Sequence, residues 1–279
     1  MDKTKSEWAV PGLLTELKIE PAMLDQLPGE LPELCKLVQG LLSNVFWMEE
    51  LDDDFDETRL QDVDLRSAHE ILSRVIELDP RPLHFQRPSD KKVVSNARSY
   101  GLLLTALLRK QGVPARLRCG FSTYFKPGLY IEHWGVEVWL PEENRWVLVD
   151  PQLDAEQQEN FSINFSPYDV PGDAFIKAPE AWQLCRADEQ DPDIFGLYEY
   201  TGMWFIRGSL IRDFLALRKI ELLPWDSFGL IAKEEEELEE EDLALLDGIA
   251  RITVDEDLRF PEVSFVYDKN QVLQPPAGM

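Results

Sequence analysis

One histidine and one aspartate stand in a pattern that could do chemistry. His133 falls in an alternating stretch, residues 131–140 (IEHWGVEVWL), and Asp150 closes the next, residues 145–150 (RWVLVD), with the hairpin turn PEEN between them. Upstream, residues 93–111 (VVSNARSYGLLLTALLRKQ) read as a helix with a small, polar amino end and Gly112 as its stop. A helix start, a strand with histidine and a strand with aspartate can align a nucleophile, a base and the group that orients the base. In the thiol form of that chemistry, the helix macrodipole and a neighbouring imidazolium lower the thiol pKa. The histidine then carries the proton to the leaving amine, and the carboxylate fixes the imidazole tautomer.

Other chemistry-bearing residues have plainer readings. His69 sits inside an amphipathic helical stretch and reads as a satisfied polar residue, as does His84. Glu132 precedes His133, but successive strand residues face opposite sides of a sheet, so the two are not an acid–base pair. Cys35, Cys119 and Cys185 are odd in number and far apart, which suits reduced, buried thiols better than a disulfide framework or a CxxC metal site. Cys119, on an apolar strand, is expected to be inert. Three histidines without HExxH spacing give zinc little to bind, so neither a metal nor a cofactor is expected. Trp134, Trp139 and Trp146 read first as core or cross-strand aromatics.

The elements that must position His133 and Asp150 follow from periodicity. Apolar residues recur at helical spacing over 31–48 and 65–78, with an acidic patch at 49–57 between them. Prolines at 80, 82 and 88 close that region. Three strands, 115–125, 131–140 and 145–150, follow the helix of 93–111, so one helix feeds an antiparallel meander. Residues 171–186 and 203–217 read as helices, and the acidic run within 233–242 as a solvated or disordered segment. The tail beyond Pro261 is expected to be poorly ordered.

Composition bounds the partners. The 279 residues carry 28 basic and 53 acidic side chains, a formal charge of −25 that repels nucleic-acid backbones and anionic bilayers. With 44% hydrophobic and 29% charged residues the chain has an ordinary globular balance. The N-terminus shows no charged-then-apolar leader and the chain no apolar run of about 18 residues, which predicts a cytoplasmic location.

The stretch SNARSYGLLLTALLRKQGVPARLRCGFSTYF, followed by EHWGVEVW and RWVLVDPQLD, resembles the core of the transglutaminase-like superfamily, whose fold is papain-like and whose chemistry is Cys-His-Asp. The later segments AWQLCRA, WFIRGSLIRDF and ELLPWD are similar to an extended bacterial branch of that group, so the resemblance spans about 93–225. It implies an α+β fold with one central helix packed on an antiparallel sheet, plus N-terminal and C-terminal helical extensions. Three regions are expected: residues 1–90, an N-terminal helical region; 91–230, the core with its C-terminal helices; and 231–279, the acidic segment and tail.

Position by position, the resemblance puts the family's histidine on His133, its aspartate on Asp150 and its nucleophilic cysteine on Ala97. Alanine cannot serve as nucleophile, acid or ligand. Ser95 and Ser99 are turned away from position 97 by about 200° on a helix and are weak substitutes. The implied function is thiol acyl transfer or amide hydrolysis on a peptide, protein or small amide, in a chain that lacks the nucleophile. The alternatives are a natural pseudoenzyme acting as a peptide-binding or protein-binding module, and a His–Asp pair acting as general base on water.

Overall fold

A computed structural model describes residues 3–24, 26–47, 57–255, 257–277 and 279. The acidic patch at 49–57 lies outside them except for Glu57. The main elements, in chain order, are α1 (Leu31–Leu41), β1 (Leu42–Asn44), α2 (Ala68–Leu78), β2 (Val93–Ser95), α3 (Ala97–Lys110), β3 (Ala115–Ser122), β4 (Tyr130–Leu140) and β5 (Arg145–Val149). They continue with β6 (Phe175–Lys177), α4 (Ala178–Arg186), β7 (Phe195–Leu197), β8 (Tyr200–Thr201), α5 (Met203–Leu217), α6 (Glu240–Thr253) and α7 (Phe260–Lys269). The chain forms two compact units that interleave in sequence: Trp8–Ala115 with Gly135–Asp169, and Met1–Glu7 with Arg116–Trp134 and Val170–Met279.

In the unit built on Trp8–Ala115, the first apolar stretch is not one helix. Leu42 is extended (φ −115°, ψ 152°), and β1 pairs in parallel with β2, Leu42 opposite Val93 and Asn44 opposite Ser95. The predicted helix over 31–48 therefore ends in a three-residue strand, and the one over 93–111 starts only after another, at Ala97. Strand pairing satisfies the backbone there, and Val93 and Val94 are β-branched, a type that favours it. α2 begins in a capping box, with Ser67 Oγ accepting the Glu70 N–H and Glu70 Oε2 accepting the Ser67 N–H at 2.7 Å.

α3 packs against α1 and α2 and is buried from Arg98 to Arg109. At its far end the Arg109 guanidinium satisfies the carbonyls of Ala115 and Trp8. The end of β4 and all of β5 form an antiparallel hairpin, Val136 opposite Val149 through Leu140 opposite Arg145. Trp139 and Trp146 face each other across it with ring centroids 5.5 Å apart, and Trp146 meets the edge of Trp8, so these two tryptophans are core aromatics as expected.

In the other unit the strand order is β6-β3-β4-β7-β8. β3 runs antiparallel to β6, but β4 runs parallel to β7, Tyr130 opposite Phe195. The fold is α+β as expected, with one correction: the sheet is mixed rather than antiparallel. A parallel neighbour needs a long connection, and the chain between β4 and β7, which includes β5, β6 and α4, supplies it. Inside this unit Arg118 of β3 and Asp213 of α5 form a buried bidentate ion pair at 2.8–2.9 Å.

Three further expectations change, in whole or in part. Residues 171–186 are strand β6 before they are helix α4, because residues 175–177 pair with Gly120–Ser122. The acidic run is exposed but ordered, with Glu240, Glu241 and Asp242 in the first turn of α6, where carboxylates suit the positive end of the helix dipole. The tail is not loose either. α7 buries Val263, and Leu273 beyond it is fully buried, so apolar side chains tie this segment down.

Candidate functional site

Ala97 is the first residue of α3, directly after the N-cap Asn96, whose Oδ1 accepts the Ser99 N–H at 3.2 Å. Of the residues from Val93 to Arg109, Ala97 alone keeps partial exposure. Position 97 is thus the point where an otherwise buried segment opens, at the positive end of a 14-residue helix. The flanking serines are committed elsewhere. Ser95 Oγ donates to the Ser43 carbonyl at 3.2 Å, and Ser99 is buried.

Asp150 follows the last residue of β5 and is 2% exposed. Its N–H donates to the Pro167 carbonyl at 2.8 Å, and its carboxylate accepts the Gln152 N–H at 2.9 Å. Burial, then the charges of Asp154 and Asp150, push the Tyr100 hydroxyl up. Burial, then Asp150, does the same to the Cys35 thiol. Tyr100 lies one turn into α3, so Asp150 and the start of that helix share one electrostatic neighbourhood.

His133, also 2% exposed, lies on β4 three residues before Val136, whose partner across the hairpin is Val149. Its ring meets Phe125 edge-on at 5.0 Å and lies near Tyr124 and Phe175. Glu132 contacts a different set: its Oε1 accepts the Trp134 indole N–H at 3.2 Å and the Cys119 S–H at 3.7 Å. Alternation along β4 therefore separates Glu132 from His133, as the strand period requires.

None of the three thiols stands in for a nucleophile at position 97. All are free and buried. Burial and the charges of Glu132 and Asp213 push the Cys119 thiol well up, and burial with Asp191 pushes Cys185 up to about 11. With Cys35 also raised, thiolate is suppressed at each.

Sequence reasoning missed a set of amides beside Ala97 and Asp150. Asn44 Nδ2 donates to Gln152 Oε1 at 2.6 Å, and both side chains are buried. Asn96 was legible as an N-cap, but the Asn44–Gln152 bond joins residues 108 apart and leaves no local signal. Among the described residues no group of three or more His, Cys, Asp or Glu is placed to hold a metal ion. No helix among them is long and apolar enough to cross a membrane.

Residues 77–151 match the family model described as the transglutaminase-like superfamily. No curated protein matches. Among solved structures, a candidate cysteine protease from Cytophaga hutchinsonii aligns at 12% identity and a TM-score of 0.38. That alignment covers 63% of this chain and 46% of the other, so this chain spans less than half of that protein's length. The matched stretch contains the start of α3, β4 and β5 with Ala97, His133 and Asp150, so over these residues the chain is similar to the transglutaminase-like superfamily.

Proposed function

We propose that the chain is a transglutaminase-like protein with the framework for thiol acyl transfer or amide hydrolysis and, with Ala97 at the nucleophile's position, no such activity as it stands. In this reading position 97 is the attacking site, His133 the base and Asp150 the group that orients it. Its target is a peptide, protein or small amide, and its partners include neither nucleic acid nor a membrane. A cytoplasmic location agrees with three free, reduced thiols.

The observation that carries the reading is the setting of Ala97: the one partly open residue of a buried segment, at the amino end of a helix. A thiol needs both access and a stabilising dipole to act as a thiolate, and this position offers both. The raised pKa values of the three native thiols support the second half of the proposal, because none can replace the missing nucleophile.

The test is to install a thiol with Ala97→Cys and follow its alkylation by iodoacetamide across pH, by intact mass, with and without His133→Ala. The unmodified chain gives the background. Rapid alkylation well below the cysteine reference of about pH 8.5, lost with His133→Ala, supports the reading. An ordinary thiol profile refutes it and favours a pseudoenzyme that binds a peptide or protein.

A further inference from the structure

The side-chain amides of Asn96 and Gln152 each hold a buried N–H donor with no acceptor, and the neighbouring hydrogen bonds fix which end of each amide is the donor. The Phe46 N–H donates to Asn44 Oδ1 at 2.9 Å, so the other end of Asn44 is its NH₂. That NH₂ donates to Gln152 Oε1, which leaves Gln152 Nε2 as the second end. The Ser99 N–H donates to Asn96 Oδ1, which likewise leaves Asn96 Nδ2. Neither nitrogen has a hydrogen-bond partner, although both residues are only 2% exposed. Buried donors are seldom left unmade, because each forfeits its hydration.

The two amides belong to one corner of the fold. Asn44 is the register partner of Ser95 on β2, one residue before Asn96, and adjacent strands lie about 4.8 Å apart. Gln152 is bonded to Asn44 through its side chain and to Asp150 through its backbone. Asn96 immediately precedes Ala97. Two orphaned donors thus lie near the start of α3, one on its N-cap residue and one on a residue bonded to Asp150.

We infer that Asn96 Nδ2 and Gln152 Nε2 form a two-donor cradle for one carbonyl oxygen of the molecule bound at position 97. A carbonyl oxygen has two lone pairs and accepts two hydrogen bonds. A neutral amide or peptide carbonyl suits the site better than a carboxylate, because Asp150 and Asp154 put negative charge beside it. The helix amino end adds to the preference for the negative end of a carbonyl dipole. Asn96 and Gln152 would bond the bound molecule directly, and the inference rests on the reading of position 97 as the site of chemistry.

The experiment uses two thiol reagents on the full chain carrying Ala97→Cys. Iodoacetamide has a carbonyl, and methyl methanethiosulfonate has none. Rates at position 97 are read by peptide mapping, alone and combined with Asn96→Asp or Gln152→Glu. Each change keeps the bonded acceptor oxygen and replaces only the NH₂. The expected result is a fall of about tenfold or more in the ratio of iodoacetamide to methanethiosulfonate rates in each variant. Loss of thiolate slows both reagents and leaves the ratio alone, so failure of the nucleophile-site reading is seen separately, in the absolute rates and their pH profile. An unchanged ratio overturns the cradle and assigns the two amides to holding the helix start or a structural water.

Discussion

Asp150 takes the backbone N–H of Gln152 on its carboxylate at 2.9 Å, across Pro151, so the residue proposed to orient His133 also folds its own turn. This is the Asx-turn geometry that an Asp-Pro pair favours. The two duties separate by substitution. Asp150→Asn keeps an oxygen for the Gln152 N–H and should cost less than about 1 kcal/mol, whereas Asp150→Ala orphans that buried donor and should cost about 1–3 kcal/mol. Urea unfolding checks both. With Ala97→Cys present, Asp150→Asn should still slow alkylation near neutral pH, because the charge is gone while the turn remains. Equal reactivity of the Asp and Asn forms would remove Asp150 from the proposed set.

The Arg118–Asp213 pair ties β3 to α5 with both side chains essentially out of water. Asp213 also accepts the Cys119 N–H at 2.9 Å, and Arg118 donates to the Thr253 carbonyl at 3.1 Å. Removing one partner strands the other's charge, so Asp213→Ala should destabilise the protein by about 3–5 kcal/mol. Replacing both with apolar residues, as in Arg118→Met with Asp213→Leu, should cost less than the single change. A double-mutant cycle by urea denaturation reads this, and additive losses would show that the pair does not act as a unit.

The thiols set an alkaline limit. Burial, with Asp191, holds Cys185 up to about 11 against an ordinary value of 9.0, and Cys119 and Cys35 are raised further. Since the folded pKa lies above the unfolded one, the neutral thiol's contribution is complete below about pH 9 and is lost as pH climbs through the folded value. Stability should therefore decline between about pH 9 and 11, with a smaller decline in Cys185→Ala. Native chain at pH 8 should leave all three thiols largely unalkylated, and urea should expose all three together. Fast native alkylation of Cys119 would contradict its burial.

Much of the positioning machinery was legible because it is local. The hairpin of β4 and β5, the start of α3 at a polar N-cap and the full span of α5 all follow from periodicity and turn chemistry over a few residues. What escaped depends on partners distant in sequence. Residues 42–44 fit a helical apolar pattern, and only their pairing with 93–95 makes them a strand. β7 joins β4 in parallel from 65 residues away (Tyr130 to Phe195), which no alternation pattern announces. The interleaving of two compact units is equally silent, since composition marks linear segments only. At the candidate site the order of helix start, His133 and Asp150 was visible in the sequence, position 97 followed from the family resemblance, and the roles of all three stand as proposed. Gln152 was not, because its significance lies in an amide contact with Asn44.

The C-terminal segment gives the sharpest contrast between composition and packing. Its sequence ends in a polar, proline-rich stretch, yet Leu273 is fully buried and Gly229 sits at φ +48° directly against the Val272 carbonyl. A Cβ at Gly229 would fall 2.1 Å from that oxygen, and the obstacle is backbone, which cannot swing aside as a side chain can. Gly229→Ala should therefore destabilise the protein by more than the roughly 1 kcal/mol expected of a left-handed residue alone, because it must also push residues 271–273 away. Leu273→Ala should cost about 2–5 kcal/mol, the range for emptying a core leucine site. If residues 271–273 were only a loose end, Leu273→Ala would fall within about 0.5 kcal/mol of the parent, as surface changes do. Thermal unfolding of the two single variants and their combination decides the matter. A combined loss smaller than the sum would show that both act through the same docked segment.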